Sequence, residues 1–391
     1  MSESFFYKNI SFFIVPIFIL APFINLSFYF IVALIVSFLL YKKPIINYVI
    51  STYTIVIVSF ISFSVDNYSD IVAYKELFSK FIVEDFGLFD YKGEFFIVAW
   101  AKILHSLGFS SEQAYFSLVM LSFFLLMNIC YSLGKRWFLV IFLLVIFGDV
   151  IRMTPFALRQ NLATLFVLWF FMKSRKIYYL IPSLTIHLTS FFYVTILPAL
   201  TTRFVYRNYF LILLVMFVSY SLLRLENIIY VGELLKSFYG TAWKLEYYIS
   251  MSREKTELYI SLTNKIVALM NISLLFYLVR KHDILMINVK IVMLFLLSAT
   301  LFFLTSNIPA LPTRVGYLYL MYMPLLTPIY LKVVLSKHVH IIIKMISIVL
   351  ISFFVIKAFS FIIKNELSLL TFGIANNNLL SSSIQQLMGF L

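Results

Sequence analysis

Ile177-Tyr-Tyr-Leu-Ile-Pro182-Ser-Leu-Thr-Ile-His187-Leu-Thr-Ser190-Phe-Phe-Tyr193-Val-Thr-Ile-Leu-Pro198-Ala-Leu200 lies between Lys176 and Arg203. Its length suits one membrane crossing, since about 20 apolar residues cover the hydrocarbon core. Read as one helix, it carries Arg203 and Arg207 to the far side, and Arg280-Lys281 follows them. That breaks the rule that short cationic connectors stay on the cytoplasmic side. Read as two short segments, 177–188 and 189–200, the chain turns back at His187-Leu-Thr-Ser190 and every basic connector stays inside. Pro182 and Pro198 suit a broken element, and non-helical backbone at depth is tolerated where it lines a buried cavity. A broken helical hairpin is the expected form.

The same logic extends in both directions. The chain has 391 residues, 62% hydrophobic and 12% charged, whereas soluble domains carry roughly 25% charged residues. Apolar runs fall at 8–24, 27–41, 44–64, 113–134, 137–151 and 155–172, then at 208–225, 261–280, 284–306, 315–331 and 339–363. Strands of alternating polarity are absent, which argues against an outer-membrane barrel. The expected fold is an all-α polytopic membrane protein, one integral membrane domain over 1–391, with about 11–14 transmembrane segments including the hairpin. Lys42-Lys43, Lys135-Arg136, Lys173 to Lys176, Arg280-Lys281 and Lys332 to Lys337 then face the cytoplasm. Two larger extracytoplasmic loops are expected, 65–112 and 226–260; the first contains amphipathic stretches at Tyr68 to Phe81 and Glu94 to Leu107. Of 17 acidic residues, all but Glu3 and Asp283 fall outside, a distribution not used in building the arrangement.

The net charge of +14 reflects this asymmetry; no basic stripe with interleaved aromatics points to nucleic acid. Cys130 is the only cysteine, sits in an apolar run, and reads as packing. The N-terminal Met1-Ser-Glu-Ser-Phe-Phe-Tyr-Lys8 lacks a basic region and a cleavage site and reads as retained. The histidines are scattered and no Asp-x-Asp pair precedes a span, so no metal centre is expected. Phosphate-binding glycine loops and a nucleophile elbow are also missing, which argues against a nucleotide-driven pump and a serine hydrolase.

Charged residues inside apolar segments carry the functional signal. Arg152-Met-Thr-Pro-Phe-Ala-Leu-Arg159-Gln160-Asn161-Leu-Ala163 joins two apolar runs. Thr154-Pro155 reads as an N-cap with Pro at the first helical position. Arg159 would then sit about one turn inside a helix, at the positive end of its dipole. A charge within a span costs roughly 2.5–3.5 kcal/mol on insertion scales and marks a functional site by default. Cation and helix terminus together favour an anion, phosphate first, whose oxygens match the planar guanidinium fork. Arg152, in the connector, is the weaker half of the pair, and Gln160 adds a polar neighbour.

Pro309-Ala-Leu-Pro312-Thr-Arg314-Val-Gly-Tyr317-Leu-Tyr319 opens a second helix from the same side, again with an arginine at its start. His187 at the hairpin turn suits a general base or a phosphate ligand. Asp66, Asp70, Tyr74 and Glu94 in the first outer loop offer carboxylates for sugar hydroxyls and rings for sugar faces. Trp243, Tyr247, Tyr248 and Arg253 give the second outer loop a similar character.

Taken together, these features resemble the bacterial O-antigen and exopolysaccharide polymerases of the Wzy and EpsG type. The resemblance rests on Asp66, Asp70 and Tyr74 after the third span, Glu94 before an apolar helix, Arg159-Gln160-Asn161-Leu162-Ala163, the His187 segment, and Arg314 beside a Tyr-rich helix. Phe95 departs from the pattern, which often has Pro after the Glu. The family implies a glycosyltransferase of the bacterial cytoplasmic (inner) membrane with its active site facing outward, acting in lipopolysaccharide or exopolysaccharide synthesis. Its substrate would be an undecaprenyl-pyrophosphate-linked oligosaccharide, polymerised without metal or cofactor. The resemblance leaves room for a polysaccharide chain-length regulator as a further partner, beside the lipid bilayer. It implies Arg159 and Arg314 as stabilisers of the leaving pyrophosphate. His187 and Asp66 would serve in acid–base roles, with Asp70 and Glu94 as rival bases. Arg152, Gln160, Tyr74 and Tyr317 would bind substrate. An O-antigen ligase shares this arginine and histidine logic. A flippase for lipid-linked oligosaccharide is the alternative from another class, although transporters more often show repeated halves.

Overall fold

The computed structural model describes residues 18–22, 29, 32–33, 35–37, 44–63, 69–83, 87–88, 95–132, 150, 154–155, 157–174, 180–187, 190, 193, 205, 207–222, 260–285, 287–308 and 311–364. Every regular element among them is helical. The chain divides into two compact units, Met1–His187 with Phe353–Leu391, and Leu188–Ser352.

The first unit is organised by α4 (Ser111–Ser132), on which α1 (Pro44–Phe63), α2 (Ser69–Val83), α3 (Phe95–Ser106) and α5 (Leu158–Trp169) all pack. Consecutive buried residues such as Leu125, Leu126 and Met127 show that α4 is covered on more than one face, as expected of a helix apolar all round. Its start is fixed by a capping box. Ser110 Oγ accepts from Gln113 N (3.2 Å) while Gln113 Oε1 accepts from Ser110 N (2.8 Å). The preceding corner turns through Gly108 at φ 90°, a left-handed conformation that glycine adopts without strain. Trp100 Nε1 donates to Ser117 Oγ at 2.7 Å and holds α3 against α4. The two stretches expected to be amphipathic within 65–112 are therefore helices α2 and α3, with Phe78, Phe81, Ile97, Val98 and Ala101 buried. After α5 a π-helical turn, Phe170–Ser174, precedes α6 (Leu180–Ile186), which packs on α5 and α3.

In the second unit, α8 (Leu262–Leu285) and α9 (Val289–Leu304) form a closely packed pair joined by a short connection. Asn288 caps α9, its side chain accepting from Lys290 N. α7 (Tyr209–Leu222) also packs on α9. The span expected at 315–331 is matched by a contiguous helical run, Tyr317–Leu335, long and apolar enough to cross a membrane. The run is segmented and preceded by a further short helix. The pieces are α10 (Leu311–Val315), α11 (Tyr317–Tyr322), a 3-10 turn (Met323–Leu326) and α12 (Thr327–Leu335). Pro324 and Pro328 lack the N–H that would continue the ladder, which accounts for the tightened turn between α11 and α12. The last element, α13 (Ile341–Lys364), belongs to the second unit as far as Ser352 and to the first from Phe353 onward.

Among the described residues, three helices are long and apolar enough to cross a membrane: Ser111–Ser132, Leu262–Lys281 and Tyr317–Leu335. Shorter apolar helices accompany them, including Val289–Leu304 and Ile341–Ile356. Leu211, Leu214, Val215 and Val218 on α7, and Ile341, Met345 and Val349 on α13, are exposed. Such apolar surface is costly against water and natural against lipid tails.

α11 approaches α9 where a side chain cannot fit. A Cβ at Gly316 would lie 2.4 Å from Phe302 Cβ and 2.9 Å from Phe302 Cα. Gly316→Ala therefore forces α9 and α11 apart. The expected cost is about 1–3 kcal/mol of stability, read as a lowered unfolding temperature of the purified protein in detergent.

Candidate functional site

Arg159 is the second residue of α5, and the helix starts later than the sequence suggested. Thr154 is not the N-cap. Its Oγ1 donates to Val150 O at 2.6 Å and accepts from Asn161 Nδ2 at 3.4 Å, so it belongs to the helical turn before α5. Ala157 occupies the cap position at φ −111°, ψ 40°, with no side-chain hydrogen bond to the helix. Arg159 thus lies in the first turn rather than one turn deep, and no acidic residue shares that turn. A cation there opposes the helix dipole, at a cost of about 0.3–1 kcal/mol at an exposed site. An anion bound beside it would relieve that cost.

Tyr74 on α2 holds the guanidinium. Arg159 Nε donates to Tyr74 Oη at 3.0 Å, and Arg159 Cζ lies 5.6 Å from the Tyr74 ring centroid. Tyr74 in turn stacks on Tyr115 of α4, with centroids 6.3 Å apart and planes 19° from parallel. Tyr115 is fully buried, meets Phe78 edge-on at 5.6 Å, and donates through its hydroxyl to Pro155 O at 3.1 Å. Two stacked tyrosines thus connect the arginine on α5 to the turn just ahead of it, through α2 and α4.

Other residues singled out in the sequence fall around this pair to different degrees. Gln160 follows Arg159 on α5 and is half-buried, its carbonyl accepting from Thr164 Oγ1 at 2.7 Å. Asp70 occupies the position one turn ahead of Tyr74 on α2; its carboxylate lies outside the described side chains. His187 closes α6, its amide donating to Ser183 O at 3.2 Å, and α6 packs on α5. The histidine and Arg159 therefore belong to one packed pair of helices. Asp66, Glu94 and Arg152 lie outside the described residues, as do most of 189–200, expected as the second hairpin arm, and 226–260, expected as an outer loop, except Ile260. Among the described residues no three His, Cys, Asp or Glu side chains gather at metal-binding spacing.

Arg314 lies in the second unit, exposed, in the last turn of the short helix α10. Its position differs from that of Arg159: it precedes a helix break instead of opening a continuous helix. Gly316 separates α10 from α11 and bonds both ways, its N–H to Pro312 O (2.9 Å) and its carbonyl from Leu320 N (2.9 Å). Next to it, two side chains enter the ladder. Tyr319 N, whose regular helical acceptor would be Val315 O, donates to Ser298 Oγ at 2.9 Å. Val315 O instead accepts from Tyr193 Oη, and Ser298 Oγ completes the link to Tyr193 Oη at 3.3 Å. Because the Tyr193 proton goes to Val315, the Ser298 hydroxyl is the donor to Tyr193. At the break beside Arg314, side chains from outside it thus bond the Tyr319 N–H and the Val315 carbonyl.

Tyr317 is buried rather than presented at a surface. Asn271 of α8, also buried, donates to Tyr319 Oη at 3.1 Å and to Val267 O at 2.9 Å, and accepts from Tyr330 Oη. Ser298, Tyr193 and Asn271 were not among the sequence candidates. Their signal was an isolated polar residue in an apolar run, which in a membrane helix marks an interhelical bond.

No protein-family model, curated protein or solved structure matches this chain. Ser298→Ala removes the group that serves both Tyr319 N–H and Tyr193 Oη. The expected loss is about 1–3 kcal/mol, the penalty of a stranded buried donor, with the Tyr319 amide showing faster hydrogen exchange than in the wild type.

Proposed function

We propose that this protein is a polysaccharide polymerase of the bacterial cytoplasmic membrane. It transfers a growing glycan from undecaprenyl pyrophosphate to an incoming lipid-linked repeat unit on the outer side. The observation that carries this reading is Arg159 at the start of α5, oriented by Tyr74 from a helix 85 residues away in sequence. A half-buried guanidinium held by a hydrogen bond and a ring face suits a developing pyrophosphate charge. The proposed topology has about thirteen segments, the N-terminus inside, a broken hairpin over 177–200, and outer loops 65–112 and 226–260.

In the reaction, an acceptor hydroxyl attacks the anomeric carbon of the donor. The new glycosidic bond forms as the anomeric carbon–oxygen bond breaks, and its electron pair leaves on the pyrophosphate. The candidates for stabilising that charge are Arg159, with Arg152 as a further cation, and Arg314, so positive charge comes from side chains. The acceptor proton passes to a base, for which His187, Asp66, Asp70 and Glu94 are the candidates. Tyr74 is a positioning residue that acts through Arg159, and Gln160 adds a donor on the same turn.

Purified protein supplied with defined lipid-linked repeat units tests this directly, with products resolved as a ladder. Arg159→Ala at normal membrane abundance should slow elongation by about 10²–10³-fold, the effect of removing one oxyanion donor. Tyr74→Phe, which keeps the ring and removes the hydroxyl, should cost less and act on turnover more than on apparent substrate affinity. Undiminished laddering by the Arg159→Ala protein would end the pyrophosphate assignment. Loss of surface attachment with chain length retained would point to a ligase. Movement of substrate without change in its degree of polymerisation would point to a flippase.

A further inference from the structure

Lys265 stands on the fourth position of α8, whose first turn is capped by Ser261 Oγ accepting from Asn264 N at 3.3 Å. Its ammonium donates to Asn307 Oδ1 at 2.8 Å and lies 6.0 Å from the Tyr220 ring centroid. Asn307 Nδ2 donates to Tyr220 O at 3.4 Å, and the Tyr220 ring stacks on Phe303 with centroids 4.7 Å apart. Three elements therefore build this cluster: the end of α7, the start of α8 and the turn after α9. Among the described residues, no carboxylate pairs with the half-buried ammonium; a carboxamide and a ring face are its partners. An ammonium carries three donors, and one hydrogen bond with one aromatic contact does not exhaust them.

Within the second unit this cation lies at the same end as Arg314. α8 and α9 pack as a pair joined by a short turn, and the first turn of α8 meets the turn that follows α9, as the contact with Asn307 shows. α10 begins just after that turn, and Gly316 touches Phe302 in the last turns of α9. Both cations therefore flank the C-terminal end of α9.

We propose that Lys265 is a second cation of the Arg314 site and binds the phosphate of a phosphorylated ligand there, with Asn307 and Tyr220 as the residues that aim it. This rests on the pyrophosphate chemistry proposed above and adds a residue to it. A point-charge ammonium and a guanidinium fork complement each other on one pyrophosphate. The shared chemistry is a phosphate ester or anhydride, whether on a lipid or free in solution.

The test uses the full chain in lipid nanodiscs, with inorganic pyrophosphate and a polyprenyl pyrophosphate as separate probes, each titrated at two salt concentrations. Lys265→Gln should weaken binding of at least one probe by about tenfold or more, the size of one charged hydrogen bond, and flatten its salt dependence. Loss for the lipid probe alone identifies a headgroup site; loss for both identifies a general pyrophosphate site. Unchanged binding of both probes overturns the proposal. If Lys265→Gln lowers the unfolding temperature, Lys265→Arg decides. An arginine that restores binding supports a role for the charge, and one that restores stability without binding overturns it. Elongation is measured in parallel. Probe binding that depends on Lys265 in a protein that makes no polymer removes the polymerase reading and leaves this site. Polymer formation that needs Arg159 and Arg314, with probe binding indifferent to Lys265, removes this site alone.

Discussion

A carbonyl released where a helix breaks cannot stay bare in apolar surroundings, where each unsatisfied backbone group costs several kcal/mol. Beside both candidate arginines this chain meets that constraint with the same device, a tyrosine hydroxyl from outside the break. Tyr115 bonds Pro155 O ahead of α5, and Tyr193 bonds Val315 O between α10 and α11. Each break lies within a few residues of a candidate arginine, Arg159 in one unit and Arg314 in the other. Backbone that departs from the regular ladder can place a charge where a continuous helix could not. The tyrosines are what make the departure tolerable.

The remaining architecture serves these two junctions. α4 is buried on several faces and supplies Tyr115; α9 is buried almost as completely and supplies Ser298. In both units a well-packed apolar helix carries a single polar group to the point where a neighbour loses its regular bonding. The close approach at Gly316 belongs to the same arrangement, since it brings the α10–α11 break near enough to α9 for Ser298 to reach it. Packing and polar satisfaction are here one problem, solved by the same helices.

Much of the all-α layout was legible in the sequence because apolar periodicity and length speak directly to it. The runs at 44–64, 113–134, 208–225 and 339–363 have helices at nearly the same residues. Starts and stops were harder. Thr154-Pro155 had the composition of a helix start, yet Thr154 bonds backward to Val150, and the preceding turn claims both residues. Arg159 and Tyr74 were each legible alone; their pairing was not, because nothing local encodes a contact between α2 and α5. Lys265 was passed over for a different reason. At the edge of an apolar run, a lysine reads as topological punctuation, and only the contacts with Asn307 and Tyr220 separate it from an ordinary flanking charge.

The stack from Arg159 through Tyr74 to Tyr115 also fixes where control of the arginine resides. The guanidinium takes its bearing from α2, which opens with Ser69 and Asp70 in the segment 65–112, and not only from the helix that carries it. Because Tyr74 stacks on Tyr115, the aim of Arg159 depends on how α2 sits against α4 as well as on α5. The arginine thus behaves as a compass needle whose housing is one helix and whose magnet is another.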